Sequence, residues 1–175
     1  ERSPQAQAAD GLAADEKLLT SIESLDPVQR ASLRLNLFGM DMDLTGLVGM
    51  RLNEHAVHTW DVIVAGDPGA TLAADATGLM IDSLGRIVTW AGKPQGTPLA
   101  VTVGTTDPDR TFALRADDAV SLQPGQADDG APELTMPAEA LIRLIYGRLD
   151  PAHTPPGVLA GDADLDSLRA IFPGL

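Results

Sequence analysis

Glu54 and His58 stand four residues apart in the segment running from Arg51 to Asp61. At 3.6 residues per turn, positions i and i+4 stack on one helix face. A carboxylate and an imidazole there can reach the same divalent metal ion. Asp61, three residues beyond His58, falls on that face too, where a carboxylate can orient the imidazole by accepting from its other ring nitrogen. With Glu54 set at zero, His58 lies at about +40°, Asp61 at about −20° and Arg51 at about +60° around the axis. The bland alternative is a partly exposed helix on which Arg51 and Glu54 form an i,i+3 ion pair.

The helix that must carry this stripe is apolar on both sides of it. Leu44, Val48, Leu52, Val62 and Ile63 cover one arc, and Met50, Val57, Trp60 and Val64 cover another. That pattern predicts a helix buried in a bundle, its charges facing inward or into a cleft. Inward charges are costly unless paired or metal-bound. His55, about 100° from Glu54, falls among Leu44, Val48 and Val62 and reads as a partly buried packing residue. His153 reads as a surface-loop residue, Trp60 and Trp90 as core, and Asp107, Asp109, Asp128 and Asp129 as solvated turn acids.

Composition bounds the rest. The chain of 175 residues, 44% hydrophobic and 21% charged, is long enough for one domain or two small ones. A formal net charge of −13 argues against nucleic acid and against adsorption to anionic membranes. No stretch approaches the roughly 20 apolar residues of a membrane span. With no cysteine, the chain has no disulfide, thiolate ligand or cysteine nucleophile, so thiol chemistry would need an external thiol.

The first half reads as helical. An Ala-rich helix is expected from Gln5 to Leu25. A second starts at Asp26-Pro27, as N-cap and first helical position, and stops at Gly39. The central helix runs from about Thr45 to Ala65, and another from Asp75 to Ala91. The pattern changes near Lys93 and Pro94, which predicts two domains, 1–93 and 94–175. Beyond it come β-like runs at 99–103, 111–115, 119–123 and 133–136, a helix from Pro137 to Leu149, a strand at 157–160 and a helix at 165–172. The fold class expected is α+β.

Three segments give the chain a family likeness. The Arg51 to Asp61 helix, the Pro137 to Arg148 helix ending in Gly-Arg, and Gly157 to Asp162 followed by the 165–172 helix together resemble the mycothiol-dependent maleylpyruvate isomerase family. The resemblance implies a DinB-like metal-binding helical bundle, incomplete at its N-terminus here, followed by a small sterol-carrier-like α+β domain. It implies a divalent metal, usually zinc, held by His, Glu and His, with Glu54 and His58 as the second and third ligands. The first histidine has no counterpart in the chain, whose only histidines are His55, His58 and His153. By the family layout it belongs upstream of Glu1.

The implied chemistry is that of an isomerase or transferase in which metal lowers the pKa of a borrowed thiol, mycothiol, for attack on a small electrophilic or anionic substrate. Arg148 is the candidate for holding a substrate or cofactor carboxylate, since guanidinium binds carboxylate bidentately. A plain helix C-terminal charge is its alternative. The resemblance implies a cytoplasmic protein, and an uncovered bundle face would favour a homo-oligomer. The competing expectation is a non-catalytic binding or regulatory protein with a degenerate metal site.

Overall fold

The computed structural model describes residues 2–37 and 39–174. They fall into two compact units, Glu1–Met50 and Arg51–Leu175.

In the first unit, helix α1 (Pro4–Glu23) starts at Ser3, whose hydroxyl accepts from the Ala6 N–H, and it buries no residue. Helix α2 (Pro27–Ser32) opens on a capping box in which the Asp26 carboxylate accepts from the Gln29 N–H and the Gln29 side chain accepts from the Asp26 N–H. It stops after six residues, short of Gly39. Strands β1 (Leu35–Leu37) and β2 (Met40–Met42) follow as an antiparallel pair. The alternation of Leu33, Leu35 and Leu37 is a period-2 pattern, and it overrides the helix expected there. Gly39, with φ +81, serves the connection between the strands and not a helix end.

Helix α3 (Leu44–Ile63) crosses from the first unit into the second. The helix expected over 75–91 is broken into α4 (Ala74–Met80), a 3-10 turn (Ile81–Ser83) and α5 (Gly85–Ala91). A four-stranded sheet follows: β3 (Leu99–Thr106), β4 (Arg110–Ala116), β5 (Val120–Pro124) and β6 (Glu133–Pro137), in the order β5-β4-β3-β6. β3 pairs antiparallel with β4 and parallel with β6, and β4 pairs antiparallel with β5. Helices α6 (Ala138–Ile145) and α7 (Leu165–Ile171) complete the unit. The strand expected at 157–160 is reduced to one bridge between Leu159 and Thr135. The molecule is thus a mixture of helix and sheet, α+β in class.

The sheet buries one face, because Val101, Val103, Leu114, Leu122, Leu134 and Met136 sit at alternate positions along their strands. α5 meets β5, α6 meets β6 and β3, and α4 meets α6. One core therefore runs through Val57, Trp60, Met80, Ile81 and Val88 before residue 93 and through Val101, Leu114, Leu141 and Phe172 after it. The boundary expected between 93 and 94 falls inside this core. Gly92 marks a close approach within it, since a Cβ there would meet Val120 Cβ at 2.5 Å. No helix among the described residues is long and apolar enough to cross a membrane.

Candidate functional site

The stripe on α3 forms, and its members touch one another in sequence order. His58 Nε2 lies 3.2 Å from Glu54 Oε2, and His58 Nδ1 lies 3.0 Å from Asp61 Oδ2. The stripe is not buried: the side chains of Glu54, His58 and Asp61 are 49%, 62% and 33% exposed. Only Asn53, Val57 and Trp60 of α3 are buried, while Val62 is 76% exposed. The expectation of apolar cover on both arcs is corrected to cover on one.

A fourth member comes from 87 residues further along the chain. Arg148 Nε and Nη2 donate to the two oxygens of Asp61 at 2.7 and 2.9 Å, and Nη1 donates to the Tyr146 carbonyl at 2.7 Å. The guanidinium is therefore committed to Asp61 in the bidentate geometry that it would use for a substrate carboxylate. This bond is the largest cause holding the Asp61 carboxyl below its usual range. Burial opposes it and His58 adds to it. The same contact pushes the Arg148 pKa up.

The turn that aims Arg148 is built by the end of α6. The Arg148 N–H donates to the Arg143 carbonyl at 2.7 Å and the Gly147 N–H to the Leu144 carbonyl at 2.9 Å. These are the paired bonds of a Schellman helix end, which needs a left-handed residue between them. Gly147, at φ +72, is that residue, and an added Cβ would overlap Gly174. The Gly-Arg ending thus has a mechanical reason: glycine reverses the chain and the next side chain returns toward α3.

Behind this turn lies a polar pair not anticipated from the sequence. Arg143 and Glu139 are 2% and 8% exposed and join through two bonds of 2.7 and 2.8 Å. Arg143 also donates to the His153 carbonyl at 2.7 Å and stacks 5.0 Å from the Trp60 ring centre. Their i,i+4 spacing on an apolar helix was the available signal. His153 is more than a loop residue. Its ring meets Trp60 edge-on at 5.8 Å, and its Nδ1 lies 2.8 Å from Asp150.

Other expectations shift as well. His55 is exposed and lies 2.7 Å from Arg51 Nη2, so it is not a packing residue. Trp60 is core, but Trp90 is 64% exposed. Asp128 is exposed and takes the Arg115 fork at 2.6 and 2.9 Å.

Two cavities flank the stripe. One, of about 300 Å³, is lined by Arg51, Glu54, His55, His58 and Thr59. The other, of about 230 Å³, is lined by Glu54, Val57, His58, Trp90, Tyr146 and Arg148. Tyr146 is buried, and its hydroxyl has no hydrogen-bond partner among the described residues. Burial first, then the Glu54 charge, push its pKa up to about 12; the neighbouring Asn53 offsets this only in part and makes no regular hydrogen bond to it.

Residues 72–169 match the MDMPI C-terminal domain. The chain belongs to that family. The match covers the C-terminal part of the maleylpyruvate isomerase likeness read from the sequence, and the DinB-like bundle expected before it lies outside the matched residues. No curated protein matches the chain. Of the site of this MDMPI-family chain, Arg148 and Tyr146 lie within the matched stretch, while Glu54, His58 and Asp61 precede it.

Whether a metal suits the stripe can be judged from its donors. Two ligands about 2.0–2.1 Å from one tetrahedral zinc stand about 3.3 Å apart. The 3.2 Å between His58 Nε2 and Glu54 Oε2 agrees with that spacing. The number of donors does not agree: no group of three His, Cys, Asp or Glu side chains suited to a metal ion exists among the described residues. Asp61 is turned away to Arg148.

Proposed function

We propose that Glu54 and His58 are the metal-facing part of a thiol-using enzyme, an isomerase or transferase like mycothiol-dependent maleylpyruvate isomerase. Zinc is the metal of this reading, mycothiol the thiol, and a small electrophilic or anionic molecule the substrate. One observation carries it. Asp61, whose carboxyl pKa is held low by Arg148, faces His58 Nδ1 at 3.0 Å, so a proton on Nδ1 would leave Nε2 to face the Glu54 carboxylate at 3.2 Å as an acceptor. Two acceptors facing at that distance repel unless a proton or a cation lies between them.

A metal with an open coordination position supplies a lowered thiol pKa. Asp61 orients His58, and Arg148 locks Asp61. An anionic substrate would meet the outer N–H groups of Arg148, because Asp61 occupies the fork. The third ligand must come from outside the pair, since a catalytic zinc ordinarily takes three protein donors.

The alternative is a non-catalytic small-molecule-binding or regulatory protein on the same scaffold, favoured by the missing third donor among the described residues. Elemental analysis with zinc calorimetry separates the two. About one zinc per chain, weakened at least roughly tenfold in His58→Ala, supports the enzyme. Zinc retained undiminished by His58→Ala overturns Glu54 and His58 as ligands. No zinc at all favours the binding protein.

A further inference from the structure

The cavity of about 230 Å³ is lined by two aromatic residues, Trp90 and Tyr146, together with Glu54, His58 and Arg148. It is smaller than the roughly 300–1,000 Å³ of pockets for drug-sized ligands, so it suits a smaller molecule. Charge decides which kind. The Arg148 fork is taken by Asp61, and its third nitrogen donates to the Tyr146 carbonyl. His58 is flanked by Asp61 on one ring nitrogen and Glu54 on the other. A free carboxylate would find no unshared cationic fork here and would face the Glu54 charge.

What the lining does offer is a neutral donor. The Tyr146 hydroxyl is buried and unpartnered among the described residues, and it keeps its proton at any physiological pH. An unsatisfied buried hydroxyl is a standing cost that an acceptor atom would relieve. Access requires a side chain to move, and Trp90, 64% exposed, is the lining residue least held by its surroundings. Trp90 adds a large flat ring to the same cavity, at a position where a purely structural tryptophan would be covered.

We propose that this cavity binds a small, neutral, planar carbonyl compound, such as an aromatic amide or a conjugated ketone, with Trp90 against its flat face and Tyr146 donating a hydrogen bond to its oxygen. The proposal shares Glu54 and His58 with the reading above but does not require its metal.

The test is an NMR titration of the two tryptophan indole N–H signals with benzamide, run once with chelator and once with zinc. The Trp90 signal should shift saturably, while that of Trp60, bonded to the Ala70 carbonyl, stays in place. Cyclohexanecarboxamide, with the same amide on a puckered ring, should bind roughly tenfold more weakly. Tyr146→Phe should weaken benzamide by roughly tenfold. Trp90→Ala, followed by saturation transfer from protein to ligand, should do likewise and serves if the Tyr146 variant does not fold. No saturable shift of Trp90, equal affinity for the two amides, or undiminished binding by the variants overturns the proposal. So does benzoate binding as tightly as benzamide in chelator. Benzamide bound without any zinc affinity would sink the metal reading alone. Zinc bound without benzamide would sink this one alone.

Discussion

Asp61 joins what the sequence leaves separate. Its place on the stripe follows from local helical geometry, and so does its contact with His58. Its bond to Arg148 spans 87 residues, and no periodicity encodes such a contact. Both residues were legible as site candidates, but their pairing was not. The pair makes a signed prediction. The Asp61 carboxyl titrates lower in the folded chain than its ordinary value of 3.8. A lowered acid stabilises the fold above its unfolded pKa and loses that contribution as pH falls through the folded one. Asp61→Asn should therefore cost about 1 kcal/mol near neutral pH, kept small by partial exposure. The gap from the parent protein should close on acidification below about pH 4. Thermal unfolding of both proteins across a pH series reads it. A gap that widens toward acid would show that the carboxylate is not stabilised by Arg148.

Helix α6 illustrates what an element adds. Its start, its apolar run and its Gly147 end are visible in the sequence, because helix capping is local chemistry. Its buried cation is not, because an Arg among apolar residues reads as a solvated edge until its partners are known. All eight residues of α6 are buried, and Arg143 makes its bonds to Glu139 on its own helix and to the His153 carbonyl beyond it. Through the second bond it holds the chain that follows Arg148. Removing one member of a buried ion pair leaves the other uncompensated, so Arg143→Ala should destabilise by about 3–5 kcal/mol. Replacing both together, as Glu139→Leu with Arg143→Met, should recover most of that loss. Urea midpoints of the three proteins test it, and a mild Arg143→Ala would mean that water reaches the pair. Elsewhere local reading overreached: α2 gave way to strand alternation after Ser32, and the 75–91 run broke at Ile81 so that α4 and α5 could each turn an apolar side inward.

At the scale of the molecule, α+β class was legible, since strands and helices alternate in the second half with clear turn punctuation. The division into units was not, because composition shifts at Lys93 while packing ignores it. α4 and α5 are too short to bury their apolar sides against each other and use α6 and β5 instead. Of the buried apolar residues among those described, Met42 alone precedes α3, and all the others belong to the unit that begins at Arg51. That unit has a continuous core and a sheet with one covered face, which is what cooperative folding requires. A fragment of residues 44–175, cut before α3 so that its first turns remain, should fold by itself. Calorimetry should show one transition with matching calorimetric and van't Hoff enthalpies, at a Tm within about 5 °C of the full chain. Two transitions, or a broad non-cooperative one, would mean that the core from Val57 to Phe172 depends on the residues before Leu44.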